Sequence, residues 1–144
     1  MAKKVYTCFC TDVIHEGHMN ILKRASEYGD VYVGVLSDEA MVGFNRFPTI
    51  SLEQRMEIVR ETGLVKEVLI QRDVMYDQIL SEVKPDYVVH GDNWSQGPEK
   101  AIRDNVIANL ERFGGELVEL PYTYNENVKR IDDQMKEKLA DFFR

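Results

Sequence analysis

Short β-prone runs alternate with amphipathic segments along most of this chain, and one run, Val31-Tyr32-Val33-Gly34-Val35-Leu36, is apolar without a break. A strand with one solvated face alternates apolar and polar residues. An unbroken run is expected where helices cover both faces of a parallel sheet. The other strands are expected at Val5 to Cys10, Val65 to Ile70, Tyr87 to Val89 and Glu116 to Leu120. Between them lie helical patterns. Met19, Leu22 and Ala25 recur at three-residue steps in a segment from about Gly17 to Tyr28, which Gly29-Asp30 breaks. Ser51 and Gln54 form a capping-box pair at the head of a helix that Gly63 ends. A shorter helix, about Tyr76 to Val83, stops before Pro85. Ile102, Val106, Leu110 and Phe113 mark a further helix, closed by Gly114-Gly115, and a polar helix is expected over Asn125 to Phe143.

Strands alternating with helices imply an α/β fold: five parallel strands, doubly wound, with right-handed crossovers and helices on both faces. The 144 residues fit one domain, residues 1–144, against a typical ~150 per domain. The 25 acidic and 18 basic residues leave a net charge of −7. That balance argues against nucleic acid as a partner, since duplex binding rests on many Lys and Arg contacts, but it leaves room for a small anionic ligand. No apolar run reaches the length of a membrane span. Cys8 and Cys10, the only cysteines, are two residues apart on one strand and do not have the spacing of a metal or redox pair. They read as reduced, buried strand residues of a cytoplasmic protein.

Such a sheet binds ligands beyond the carboxyl ends of its strands, where the strand order reverses. The unusual residues fall there. Cys10-Thr11-Asp12 and His15 follow the first strand, His90 to Trp94 the fourth, and Tyr122-Thr123-Tyr124 the fifth. The sharpest feature is His15-Glu16-Gly17-His18, at a helix start. A helix N-terminus offers unpaired N–H groups and partial positive charge, both suited to phosphate. Gly17 lets the backbone come close, and two imidazoles there can donate to phosphoryl oxygens. Two His at this spacing, without a third ligand nearby, make a poor metal site. Trp94 either stacks on a base or sugar or fills a loop core. His90 reads as support for its loop, and Arg55 as a helix-surface or ion-pair residue.

His15-Glu16-Gly17-His18 resembles the HxGH signature of the nucleotidyltransferase superfamily, and the resemblance extends over about residues 5 to 124. Arg46-Phe47-Pro48 through Ser51-Leu52-Glu53-Gln54-Arg55 is similar to that group's central segment. Pro85 to Trp94 resembles its GDDW region, and Gly114 to Thr123 its last strand. The likeness is strongest to cytidylyltransferases, and within them to the phosphonate branch that acts on 2-aminoethylphosphonate, as found fused to phosphoenolpyruvate mutase. Glycerol-3-phosphate cytidylyltransferase comes next.

The resemblance implies a Rossmann-like fold and a CTP-dependent transfer of CMP to a small phosphonate or phosphate monoester, with release of pyrophosphate. It implies His15, His18 and Arg46 as catalytic residues. It places Phe9, Cys10, Thr11, Gly17, Gly91, Asp92, Trp94, Tyr122, Asn127 and Lys129 around the nucleotide. Mg²⁺ bridging the phosphates and a homodimer are implied as well; metal ligands are not indicated. Three departures stand out. Cys10 replaces a hydroxyl residue, and Asn93 replaces an acid in the GDDW motif. The Ser/Thr-rich run that follows the last strand in the family is here Tyr122-Thr123-Tyr124-Asn125-Glu126-Asn127. Asn127 can cap the helix, and Lys129 can hold phosphate by charge. The alternatives are a polyol-phosphate acceptor or a nucleotide-binding module without turnover.

Overall fold

The computed structural model describes residues 2–9, 16–43, 48–92, 94, 99–121, 130–131 and 134. Five strands form one sheet: β1 (Lys4–Phe9), β2 (Asp30–Leu36), β3 (Glu67–Gln71), β4 (Tyr87–Gly91) and β5 (Glu116–Leu120). Every pairing is parallel and the order is β3-β2-β1-β4-β5. Helices α1 (Glu16–Ala25), α2 (Asp38–Gly43), α3 (Leu52–Glu61), α4 (Asp77–Val83) and α5 (Lys100–Phe113) connect the strands. The expected α/β, doubly wound architecture is what the chain adopts.

The period-two alternation of a strand sorts its side chains between two cores. On one face Val5, Phe9, Val31, Val33, Val35 and Val89 pack with Leu22 and Ala25 of α1 and Val59 of α3. On the other, Tyr6 and Val88 pack with Ile79, Leu80 and Val83 of α4 and Ile102, Val106 and Leu110 of α5. The unbroken apolar run of β2 is explained by this double cover, since β2 lies inside the sheet with residues buried on both sides.

Close approach at Gly34 fixes how β1 and β2 share the second face. The Tyr6 phenol lies over β2 and donates to Gln71 Oε1 at 2.5 Å. A Cβ on Gly34 would stand 1.7 Å from the Tyr6 hydroxyl, so only glycine leaves the ring its place. The Tyr6 hydroxyl is pushed well above its ordinary pKa, chiefly by burial, and serves as a neutral donor.

Helix ends follow their sequence signals. Ser51 accepts from the Gln54 backbone N–H while the Gln54 side chain accepts from the Ser51 N–H, completing the expected capping box. α5 closes at Gly114 in the left-handed region, φ +77°. Cys8 is half-buried rather than buried, its side chain on the edge of the second core, and two elements differ from the reading of the sequence. β3 begins at Glu67 rather than Val65, because its ladder to β2 starts where Glu67 pairs with Tyr32; Leu64 and Val65 pack on the first core ahead of the strand. The short α2 was not expected. It buries only Ala40 and Met41, too few residues to display a helical period. The expected helix over 125–143 lies almost wholly outside the described residues.

Arg55 is an ion-pair residue, buried rather than on a helix surface. Only 2% of it is exposed, and it reaches from α3 to the end of β2. There it donates to the Leu36 carbonyl at 2.6 Å and pairs with Asp38 at the start of α2.

Candidate nucleotide site

The central strand β1 has β2 on one side and β4 on the other, so connections leave its neighbourhood toward opposite edges. This is the switch point at which an open α/β sheet forms its crevice. Tyr6 pairs with Val88, and β1 ends at Phe9 as the neighbouring β4 ends at Gly91.

α1 begins beyond the end of β1, and its Leu22 and Ala25 anchor it on the first core. Its first turn is Glu16-Gly17-His18, with Gly17 buried. The His18 ring meets the Phe9 ring edge to face, 4.9 Å between centroids and 66° between planes. Phe9 is itself buried in the first core, so a rigid strand residue sets where the His18 imidazole sits. The structure thus brings together Phe9, Gly17 and His18, with Gly91 and Asp92 at the adjacent strand end. Asp92 is exposed there, and its backbone N–H is fixed to the Leu120 carbonyl at 2.8 Å. His15, Cys10, Thr11, Arg46, Tyr122, Asn127 and Lys129 lie outside the described residues.

Trp94 departs from the expectation of a nucleotide contact. Its ring is 1% exposed and belongs to the second core, tilted against Tyr76 at 6.5 Å. It stacks flat on His90, with centroids 3.5 Å apart and planes 2° apart. A buried ring so covered offers no face to a base, so Trp94 fills the loop core, the other of its two readings.

His90 is the residue whose importance the sequence understated. Its Nδ1 lies 2.8 Å from the Gly91 carbonyl, and since a carbonyl only accepts, Nδ1 carries the proton. Burial lowers its pKa from 6.5 to about 4, against the opposing influence of that hydrogen bond and of the Glu119 carboxylate. Glu119, the register partner of His90 on β5, is engaged by Arg103 of α5 through Nε at 2.9 Å and Nη2 at 2.5 Å. Neither Arg103 nor Glu119 had a local sequence signal, because they meet only when α5 packs on β5.

Among the described residues no three His, Cys, Asp or Glu side chains group as a metal site, and no described helix is long and apolar enough to cross a membrane.

A cytidylyltransferase-like family model matches residues 6–131. The bifunctional protein HldE of Desulfatibacillum aliphaticivorans is 29% identical over 132 residues, 90% of this chain and 26% of that protein. The ethanolamine-phosphate cytidylyltransferase of Arabidopsis thaliana is 36% identical over 97 residues, 62% of this chain and 23% of its own length. The chain therefore spans about a quarter of the length of these curated relatives. Among solved structures, a lipopolysaccharide core biosynthesis protein from Thermoplasma volcanium has a TM-score of 0.69 at 19% identity, covering 88% of this chain and 100% of that one. The pantoate-beta-alanine ligase of Francisella tularensis, solved with beta-gamma ATP and beta-alanine, has a TM-score of 0.61 at 12% identity, covering 87% and 61%. At these identities the structural likeness shows the fold alone. The family model spans most of the chain, and by it this chain belongs to the cytidylyltransferase-like family.

Proposed function

We propose that this domain transfers CMP from CTP to an oxygen of a small phosphonate or phosphate monoester. The acceptor oxygen bonds to the α-phosphorus of CTP, the bond from that phosphorus to the bridging oxygen breaks, and pyrophosphate leaves. The observation that carries the reading is the first turn of α1, with His18 braced on Phe9 beside the strand end of Gly91 and Asp92. A helix start and an imidazole at a switch point are suited to hold a polyphosphate and to neutralise the charge that spreads during transfer. The Arabidopsis relative is by name an ethanolamine-phosphate cytidylyltransferase, which supports a phosphate-monoester acceptor. The sequence resemblance favours a phosphonate.

In this reading His15 and Arg46 join His18 at the phosphates. Backbone at Phe9, Cys10 and Thr11, together with Gly17, approaches the nucleotide, and Gly91 and Asp92 shape its nucleoside side. Tyr122, Asn127 and Lys129 take the place of the family's Ser/Thr run. Mg²⁺ would come bound to the triphosphate, where it keeps several waters and needs few protein ligands. A cytoplasmic homodimer belongs to the same proposal.

The test is pyrophosphate release with each of the four NTPs, Mg²⁺ and a panel of phosphonates and polyol phosphates. Release with CTP alone supports the reading; release with ATP and not CTP overturns it. Thermal stabilisation by CTP without release points to a nucleotide-binding module, since a ligand of the folded state raises apparent stability by mass action. In an active protein His18→Ala lowers turnover about 10²-fold or more.

A further inference from the structure

The buried core behind the nucleotide site poses a question about Trp94. A buried indole normally fixes itself through a hydrogen bond from its N–H, yet Trp94 Nε1 is buried and has no hydrogen-bond partner among the described residues. Its position therefore depends on packing. Among the described residues its closest ring partner is His90, stacked flat at 3.5 Å, with Tyr76 more distant and tilted at 6.5 Å. His90 is in turn tied by Nδ1–H to the carbonyl of Gly91 at 2.8 Å. One imidazole thus joins the backbone at the end of β4 to the indole three residues further on, across the turn that carries Asp92.

We propose that His90 is a positioning residue: its ring seats Trp94 and so holds the turn after β4 in the shape that receives the nucleotide. The proposal rests on the nucleotide reading of the site and adds a residue that touches neither substrate nor the reacting atoms. The surroundings favour the neutral form. From β5, Glu119 faces His90, but Arg103 of α5 engages its carboxylate. From β1, Cys8 lies on the same face, two residues beyond the partner of Val88. From the residues preceding α4, Tyr76 contributes a phenol. The Glu119 carboxylate and the Gly91 carbonyl favour a proton, but burial outweighs them.

Trp94 is the sole tryptophan, so its emission reports on the seat directly. His90→Asn retains an amide donor near the Nδ1 position and removes the ring. His90→Phe restores a flat ring without the donor. At pH 7 the expected results are a changed Trp94 emission in His90→Asn, with KM for CTP raised about tenfold and kcat changed less, and partial recovery of both emission and KM in His90→Phe. Unchanged emission overturns the proposal, as does changed emission with an unchanged KM. A raised KM with unchanged emission also overturns it, because His90 would then act on the substrate itself.

If wild-type protein turns over no CTP, the nucleotide reading fails in the wild-type assay and the coupling of seat to site falls with it; the emission comparison still shows separately whether His90 seats the indole. If His90→Asn does not fold, acid titration of wild type and His90→Phe decides. A wild-type emission step near pH 4 that His90→Phe lacks supports the proposal. A step near 6.5, or the same step in both proteins, overturns it.

Discussion

Gly34→Ala isolates a single contact in the centre of the sheet. The added methyl would stand 1.7 Å from the Tyr6 hydroxyl, 2.7 Å from Cζ and 3.2 Å from Cε1. The φ of Gly34 is not positive, so the backbone tolerates alanine and the whole cost is steric. The Tyr6 ring must withdraw, and its exits are blocked by Tyr76, Leu80 and Val88 in the same core. Overpacking of this kind costs about 1–3 kcal/mol. Withdrawal also breaks the bond to Gln71 Oε1 and leaves a buried acceptor unsatisfied, a further 1–3 kcal/mol or so. Together these give about 2–6 kcal/mol, read as a lower urea midpoint at unchanged slope.

The companion variant is Tyr6→Phe, which deletes the atom at 1.7 Å and gives up the same hydrogen bond. The double variant is then expected to cost at least about 1 kcal/mol less than the sum of the two singles, since neighbours in direct contact couple on that scale. A Gly34→Ala protein within about 0.5 kcal/mol of wild type, the range usual for an innocuous surface change, refutes the packing argument. So do strictly additive single costs.

Three other outcomes follow from the geometry. His90 has a folded pKa of about 4 against an ordinary 6.5, so between those values the unfolded chain holds a proton that the folded one lacks; stability is full above 6.5 and falls as pH drops toward 4, by up to about 3 kcal/mol. Urea melts at pH 7 and 5 measure the slope, and His90→Phe removes that share of it. Arg55→Ala strands the Leu36 carbonyl and empties a buried volume, but the abandoned Asp38 carboxylate is half-exposed. The loss, by the same melts, is expected at roughly 2–4 kcal/mol, toward the low side of a fully buried pair. Ser51→Ala opens the capping box of α3 and lowers stability by about 1 kcal/mol, with Ser51→Gly milder.

The layered fold was legible because its causes are local. The alternation of apolar runs with helical periods, the Ser51–Gln54 pair and the Gly114 stop all act within a few residues. The site was legible as a place, since the HxGH tetrapeptide and the turn after β4 sit at the ends of strands that any such sheet sets side by side. The partnerships were not. Tyr6 meets Gln71 across two strands, Arg103 meets Glu119 across a helix–sheet contact, and His90 meets Trp94 through the fold of a turn. Each depends on register and docking rather than on spacing. Trp94 shows the limit most plainly. An aromatic three residues after a glycine at a strand end reads equally as a platform or as filling, and only its burial decides.

The place of β1 in the strand order has a consequence for biosynthesis. β1 pairs with β2 soon after both are made, but its other flank waits for β4, some eighty residues later. Until Tyr87–Gly91 leaves the ribosome, the nascent half-sheet presents an open row of amides beside valine and tyrosine side chains, the kind of edge that recruits foreign strands. A fragment ending at residue 86 should therefore associate with itself, and supplying the remainder of the chain in trans should dissolve those aggregates.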